Sequence, residues 1–257
     1  MVVESIPKVL GFGYAMLVFF LLVGIWYKGW FSRRRGAVFL IISTGLGFLI
    51  FAPVAPYQFQ LIVLRDVAEL GAPLQMALFG LLFFLGFTMF FGRIFCGHIC
   101  PVGTLQELVS LAPVPKGGRI LKREAMAFRA VIFVLFVFTG LLFSVNLLGA
   151  LGLRKFFYLQ IGSISFAVFG GIVLLSAAVY RPFCRFICPY GALLSLASTR
   201  PLFALRRTDA CIECGNCERA CPTDVAGRDA PKSECYLCGR CVEACPVEGA
   251  LVYERGQ

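Results

Sequence analysis

Five stretches of this 257-residue chain run for about twenty residues without a charged side chain. They restrict its fold more than any other feature, and they lie at about residues 9–27, 37–56, 74–92, 130–150 and 160–180. Crossing the hydrocarbon core of a bilayer takes roughly 17–25 residues of helix. With no water there to satisfy amides and carbonyls, each run must close its own backbone hydrogen bonds as a helix. Hydrophobic residues make up 59% of the chain and charged ones 15%, the balance of a multi-spanning membrane protein. The expectation is an all-α polytopic membrane bundle of about five transmembrane helices. Its first run, from about Leu10 to Tyr27, is too long for a cleaved leader and has no small-x-small site after it. It reads as a retained anchor.

The formal charge of +10 lies entirely before the last fifty residues, since seven basic and nine acidic side chains follow from Arg206 onward. Positive charge collects at alternate ends of the apolar runs. Lys28 and Arg33, Arg34, Arg35 follow the first; Arg93, Lys116, Arg119, Lys122, Arg123 and Arg129 follow the third; Arg181, Arg185, Arg200, Arg206 and Arg207 follow the fifth. The other ends hold Arg65 beside Asp66 and Glu69, and Arg154 with Lys155. By the positive-inside rule, this predicts an outside N-terminus and a C-terminal tail in the cytoplasm of a multi-pass cell-membrane protein. The basic excess therefore answers to orientation and not to nucleic acid. Residues 57–72 read as a short helix on the outer surface. Tyr57, Gln58, Gln60, Tyr158 and Gln160 are candidate anchors at that interface.

The twelve cysteines fall into four groups with none left over. Two groups repeat C-x-x-C-x-x-C-x-x-x-C-P in the tail: Cys211, Cys214, Cys217, Cys221 with Pro222, and Cys235, Cys238, Cys241, Cys245 with Pro246. This is the spacing of a bacterial ferredoxin with two [4Fe–4S] clusters, in which the fourth cysteine of each motif ligates the other cluster. One cluster is expected on Cys211, Cys214, Cys217 and Cys245, and the other on Cys235, Cys238, Cys241 and Cys221. Structural zinc prefers other spacings. Cluster ligation also needs reduced thiolates, which suits the cytoplasm. The tail is thus expected to be a small α+β two-cluster domain.

The remaining four form C-x-x-x-C-P twice, at Cys96, Cys100, Pro101 and at Cys184, Cys188, Pro189. Around them, Arg93, Phe95, Cys96, Ile99, Cys100, Pro101, Gly103, Leu105 and Ser110 recur 88 residues later. The recurrences are Arg181, Phe183, Cys184, Ile187, Cys188, Pro189, Gly191, Leu193 and Ser198. Each copy follows a span of the same direction, so the core reads as a parallel repeat of two helical hairpins, able to gather the four thiols at one face. Proline should end the helix at Cys100 and Cys188 and start a new one. Three uses of the thiols stay open: buried packing, a reversible dithiol, or a shared four-thiolate site for a metal or third cluster. His98, the only histidine, stands where the second copy has Phe186. Its readings are a hydrogen bond to backbone or a proton acceptor for a quinol. One histidine excludes a bis-histidine haem, and no C-x-x-C-H is present.

Spans followed by F-C-x-x-x-C-P (Phe95–Pro101, Phe183–Pro189) and a two-cluster tail resemble the NapH-type membrane ferredoxins. These are quinol-dehydrogenase membrane components, related to MauN and to the membrane cores of NosR and CcoG. The resemblance covers roughly residues 37–257 and implies a four-span core, to which residues 1–36 look like an added helix and basic loop. It divides the chain into that segment, a duplicated core at 37–200 and a ferredoxin domain at 201–257. It implies oxidoreductase-type electron transfer between membrane quinone and a redox partner, either an extra-cytoplasmic iron–sulfur protein or a cytoplasmic donor, within a multisubunit complex. Cys96, Cys100, Cys184 and Cys188 would take part. The alternatives are a CcoG-like assembly factor that reduces a metal or thiols, and a subunit that only relays electrons within a larger complex.

Overall fold

A computed structural model of the chain describes residues 2–51, 54–70, 73–114 and 122–256. Helix α1 (Val2–Tyr27) carries the first apolar run, and its Phe19 ring meets Phe87 edge-on at 5.3 Å. Phe87 belongs to α5 (Leu74–Phe91), so the segment read as an addition is packed into the bundle. Between them, α2 (Arg33–Ile50) starts at Ser32, whose hydroxyl accepts from the Arg35 amide, and ends at Phe51 with a φ of 50°. The chain then bends by 42° into α3 (Ala55–Leu64).

Helix α3 corrects the expectation of a surface helix. Tyr57, Gln60 and Leu61 are buried, and α3 packs against both α5 and α7 (Lys122–Phe143). Gln60 explains the choice, because its amide nitrogen donates to the Val145 carbonyl while its oxygen accepts from the Leu148 amide. A buried amide with both ends bonded costs little, and it ties α3 to the turn after α7. Tyr57 is likewise not an interfacial anchor, since its hydroxyl donates to Glu69 near α4 (Val67–Leu70). Tyr158 is 53% exposed, as an anchor should be.

Among the described residues, three helices are long and apolar enough to cross a membrane, Val9–Tyr27, Leu74–Phe91 and Glu124–Phe143, and the bent pair α2–α3 makes a fourth if counted as one span. The expected span at 130–150 is shifted toward the N-terminus. Ser144 takes a φ of 51°, and Asn146 caps a separate turn, α8 (Leu147–Ala150), by accepting from the Gly149 amide. The expected span at 160–180 is shorter than its apolar run. After α9 (Leu153–Phe157) and a turn, α10 (Ile164–Leu174) and one 3₁₀ turn (Leu175–Ala177) are all that is helical. Fourteen residues rise about 21 Å, short of the roughly 30 Å hydrocarbon core. Exposed Leu78, Phe79, Leu82, Val131, Leu135 and Leu142 line the outer faces of the long helices, as lipid contact requires. Pro53, Lys116 and Arg119 lie outside the described residues.

Each C-x-x-x-C-P motif forms one π-helical turn followed by an α-helix. The turns are Phe95–Ile99 and Phe183–Ile187, and the helices are α6 (Pro101–Val109) and α11 (Pro189–Ala197). The amides of Cys100 and Cys188 reach back five residues to the Phe95 and Phe183 carbonyls, at 2.9 and 2.8 Å. Ahead of proline, both cysteines adopt extended ψ values, 120° and 113°. Helix then resumes with proline in its first turn, where the missing N–H has no cost.

In the tail, β1 (Phe203–Arg207) pairs antiparallel with β2 (Leu251–Arg255), with Leu205 opposite Tyr253. Two short helices, α12 (Asn216–Ala220) and α13 (Arg240–Glu243), follow the two C-x-x-C-x-x-C loops. The tail is joined to the bundle by backbone bonds from Leu202 to Met89 and from Lys232 to Thr199, and by Tyr253, whose hydroxyl donates to the Phe91 carbonyl at 2.7 Å.

Candidate cysteine-ligand sites

The structure gathers all twelve cysteines around three cavities, four to each, and all are free thiols. Cys211, Cys214, Cys217 and Cys245 line the first, with an empty volume of about 330 Å³. Cys221, Cys235, Cys238 and Cys241 line the second, of about 500 Å³. In each of these two cavities the fourth cysteine comes from the other tail motif. Cys96, Cys100, Cys184 and Cys188 line the third, of about 300 Å³, with Arg93 and Pro56 in its wall.

The loops around the first two cavities are shaped for an anion. Glu213 and Gly215 take φ values of 53° and 72°, and Leu237 and Gly239, 24 residues later, take 53° and 79°. Such left-handed residues within a turn direct successive amides into one concavity, a geometry common at iron–sulfur sites. Val225 N–H donates to Cys221 Sγ at 3.4 Å. Burial pushes the Cys235 thiol up to about 12, so metal bonding must supply what holds it as a thiolate. Among the described residues, no three His, Cys, Asp or Glu side chains are grouped to hold a single metal ion. Four thiols around a roomy gap suit a cluster better than one tetrahedral ion, whose sulfurs would stand about 3.8 Å apart at a metal–sulfur distance near 2.3 Å.

Donors already face the third cavity. Arg93 Nη2 is 3.8 Å from Cys96 Sγ, Gln106 Nε2 donates to Cys184 Sγ at 3.3 Å, and the Gly191 amide donates to Cys188 Sγ at 3.2 Å. Arg93 and Arg181, counterparts in the two copies, are both fully buried. Arg181 crosses to the other copy, donating to the Cys96 and Gly97 carbonyls and to Glu107. Arg93 reaches into the tail, to Glu234 and the Ser233 carbonyl. Tyr236 lies between the two guanidinium groups, with ring distances of 4.5 Å to Arg93 and 4.6 Å to Arg181. Arg129 and Arg185 also converge on Glu234.

Four buried arginines thus meet two buried carboxylates, Glu107 and Glu234. Arg181 and Arg240 hold the Glu107 carboxyl at about 2 despite its burial. These residues were missed as site members because arginines at the ends of spans count first toward orientation. The available signal was the recurrence of Arg93 as Arg181 and the position of Glu234 directly before Cys235.

His98 lies in the first π turn with 3% of its surface exposed, and burial and Arg181 hold its pKa down to about 4, so it is neutral. Its carbonyl accepts from Ser43, its ring stands edge-on to Phe31 at 5.4 Å, and its Nδ1 has no partner.

A family model described as a 4Fe–4S binding domain matches residues 74–123 and 162–207, the two segments that carry the C-x-x-x-C-P motifs. A second model of the same description matches residues 206–226. The "Putative electron transport protein YccM" of Escherichia coli is 24% identical over 229 residues, 80% of this chain and 62% of that protein. Protein NirI of Paracoccus denitrificans is 35% identical over 164 residues, 57% of this chain and 24% of that protein. The chain is similar to membrane ferredoxins of the NapH/NirI type. An uncharacterized protein of Methanocaldococcus jannaschii, MJ0750, is 29% identical over 149 residues, 54% of this chain and 62% of the relative. The chain spans less than two thirds of the length of the curated relatives it matches. No solved structure matches it.

Proposed function

We propose that this membrane ferredoxin links the quinone pool of the cell membrane to a redox partner protein through three four-thiolate sites in series. The observation that carries the reading is the partition of twelve cysteines into three sets of four around separate cavities. The sets are also neighbours. Leu251 lines both the first and second cavities, and Tyr236 of the second stacks on Arg93 of the third. A [4Fe–4S] cluster at such a site supplies one-electron storage, at a potential set by charge, burial and hydrogen bonds to sulfur. Cys211, Cys214, Cys217 and Cys245 would hold one, and Cys221, Cys235, Cys238 and Cys241 the second.

Charge supports a third on Cys96, Cys100, Cys184 and Cys188. Arg93, Arg129 and Arg185 share the single carboxylate Glu234, and Arg93 also stands 3.8 Å from Cys96 Sγ. Thiolates bound to a cluster would add negative charge beside Arg93. The duplicated hairpins of the core then act as a clamp, each contributing two thiols from a π turn. A soluble partner would exchange electrons at the first site, where Cys214 is exposed and Ile212 beside it is 64% exposed. By the positive-inside rule that site would lie in the cytoplasm.

Iron and acid-labile sulfide per chain test the count. Twelve of each, by four per cluster, are expected, and about eight would leave the membrane thiols free. Replacing Cys96 and Cys184 by serine should remove about four iron atoms and spare the tail clusters. The quinone link is tested by adding a quinone analogue to dithionite-reduced protein in membranes. Clusters that stay reduced would leave only a relay subunit.

A further inference from the structure

A fourth cavity, with an empty volume of about 380 Å³, lies where α2, the first π turn and the second cysteine loop meet. Phe31, Leu40 and the 45%-exposed Leu111 give it an apolar side and a rim. His98, the Glu107–Arg181 pair, Cys238 and Arg33, which pairs with Glu243, give it a polar side.

The hydrogen-bonding capacity of that polar side is concentrated in one group. Arg181 spends its donors on Glu107 and two carbonyls, and Glu107 accepts from Arg181 and Arg240. His98 Nδ1 is buried and unpartnered. A buried polar atom in this state is destabilising until something hydrogen-bonds to it. The two copies differ at this point, because the counterpart Phe186 packs on Phe128 with ring centroids 6.0 Å apart. Phe31 is fixed as one wall by stacking on Trp26 at 4.0 Å, and its ring is in contact range of His98.

We propose that this cavity receives the headgroup of the quinone, its ring against Phe31 and Leu40 and one ring oxygen hydrogen-bonded to the His98 imidazole. The inference rests on the quinone-linked reading above and gives that reading a place. A flat ring with oxygens at its ends matches a cavity that is apolar on one side and polar on the other. Cys238 in the same wall belongs to the second four-cysteine set, so a bound ring stands beside the relay.

The test uses the full chain in liposomes, reduced with dithionite and mixed with decylubiquinone, with cluster reoxidation followed by EPR. His98→Phe, which installs the second copy's residue, and Leu111→Trp, which fills the rim, should each slow reoxidation about tenfold or more, a change of about 1.4 kcal/mol. Iron content and the dithionite-reduced spectrum should stay as in the parent. An azidoquinone photolabel should attach to peptides containing Phe31–Leu40 or His98–Leu111. Should His98→Phe lose iron, Leu111→Trp and the photolabel decide the matter. Parent-like rates in the variants, with the label elsewhere, would overturn the pocket and spare the quinone link. Parent clusters that decylubiquinone never reoxidises would overturn both.

Discussion

Gly97 and Tyr236 mark the point where the membrane helices press on the cysteine-rich tail. A Cβ on Gly97 would lie 2.2 Å from the Tyr236 carbonyl oxygen, a backbone atom that cannot swing aside. That closeness lets Tyr236 sit between Arg93 and Arg181. Gly97→Ala is therefore expected to cost about 1–3 kcal/mol by overpacking. Its effect should be to loosen the seat of the tail, seen as a lower thermal midpoint in detergent and altered magnetic coupling between clusters; a variant equal to the parent in both would refute the close contact. At this scale the cysteines and their spacing were legible in advance, and His98 stood out as a lone residue. Tyr236 did not, because a tyrosine between two cysteines carries no pattern until its neighbours in space are known.

The π turn, the proline and the following helix form the recurring element, and much of it could be read from the chain. Proline dictates an extended cysteine before it and a helix start after it wherever it occurs. The turn itself is π and not α, and the Cys96 carbonyl within it closes on Gly103, where a Cβ would clash. Glu107 of α6 then links three elements, bonding Arg181 before the second π turn and Arg240 of α13. Glu107→Gln should cost about 3–5 kcal/mol, the range for breaking a buried pair and leaving its partners unmatched. The pH dependence has a definite sign. A carboxyl held at about 2 against an ordinary 4.5 contributes stability that is complete above pH 4.5 and lost as pH falls toward 2. Comparing thermal midpoints of parent and Glu107→Gln across that window isolates this segment from acid loss of the clusters; identical slopes would refute it.

On the scale of the whole molecule, the long helices, the bent pair and the tail depend on each other. Trp26 at the end of α1 meets Tyr253 of β2 at 6.0 Å, and Arg33 at the start of α2 bonds Glu243 in the tail at 2.9 Å. The basic loops and the tail therefore share a side. If that side is the cytoplasm, trypsin should cut at exposed Arg228 in inverted membrane vesicles and not in right-side-out ones. Cleavage in right-side-out vesicles would reverse the orientation.

What the amino-acid sequence determined by itself was local or periodic: apolar runs that must be helical in lipid, prolines that break them, and cysteine spacings that suit a cluster. Only the tertiary structure decided how those parts meet. It turned α3 inward through Gln60, left the last apolar run shorter than a bilayer, and brought the two membrane cysteine pairs to one cavity. It also buried Arg93, Arg129, Arg181 and Arg185, which orientation rules had counted as surface charge. The reason is that burial and charge pairing join residues as far apart as Arg93 and Glu234, a relation that spacing along the chain does not carry.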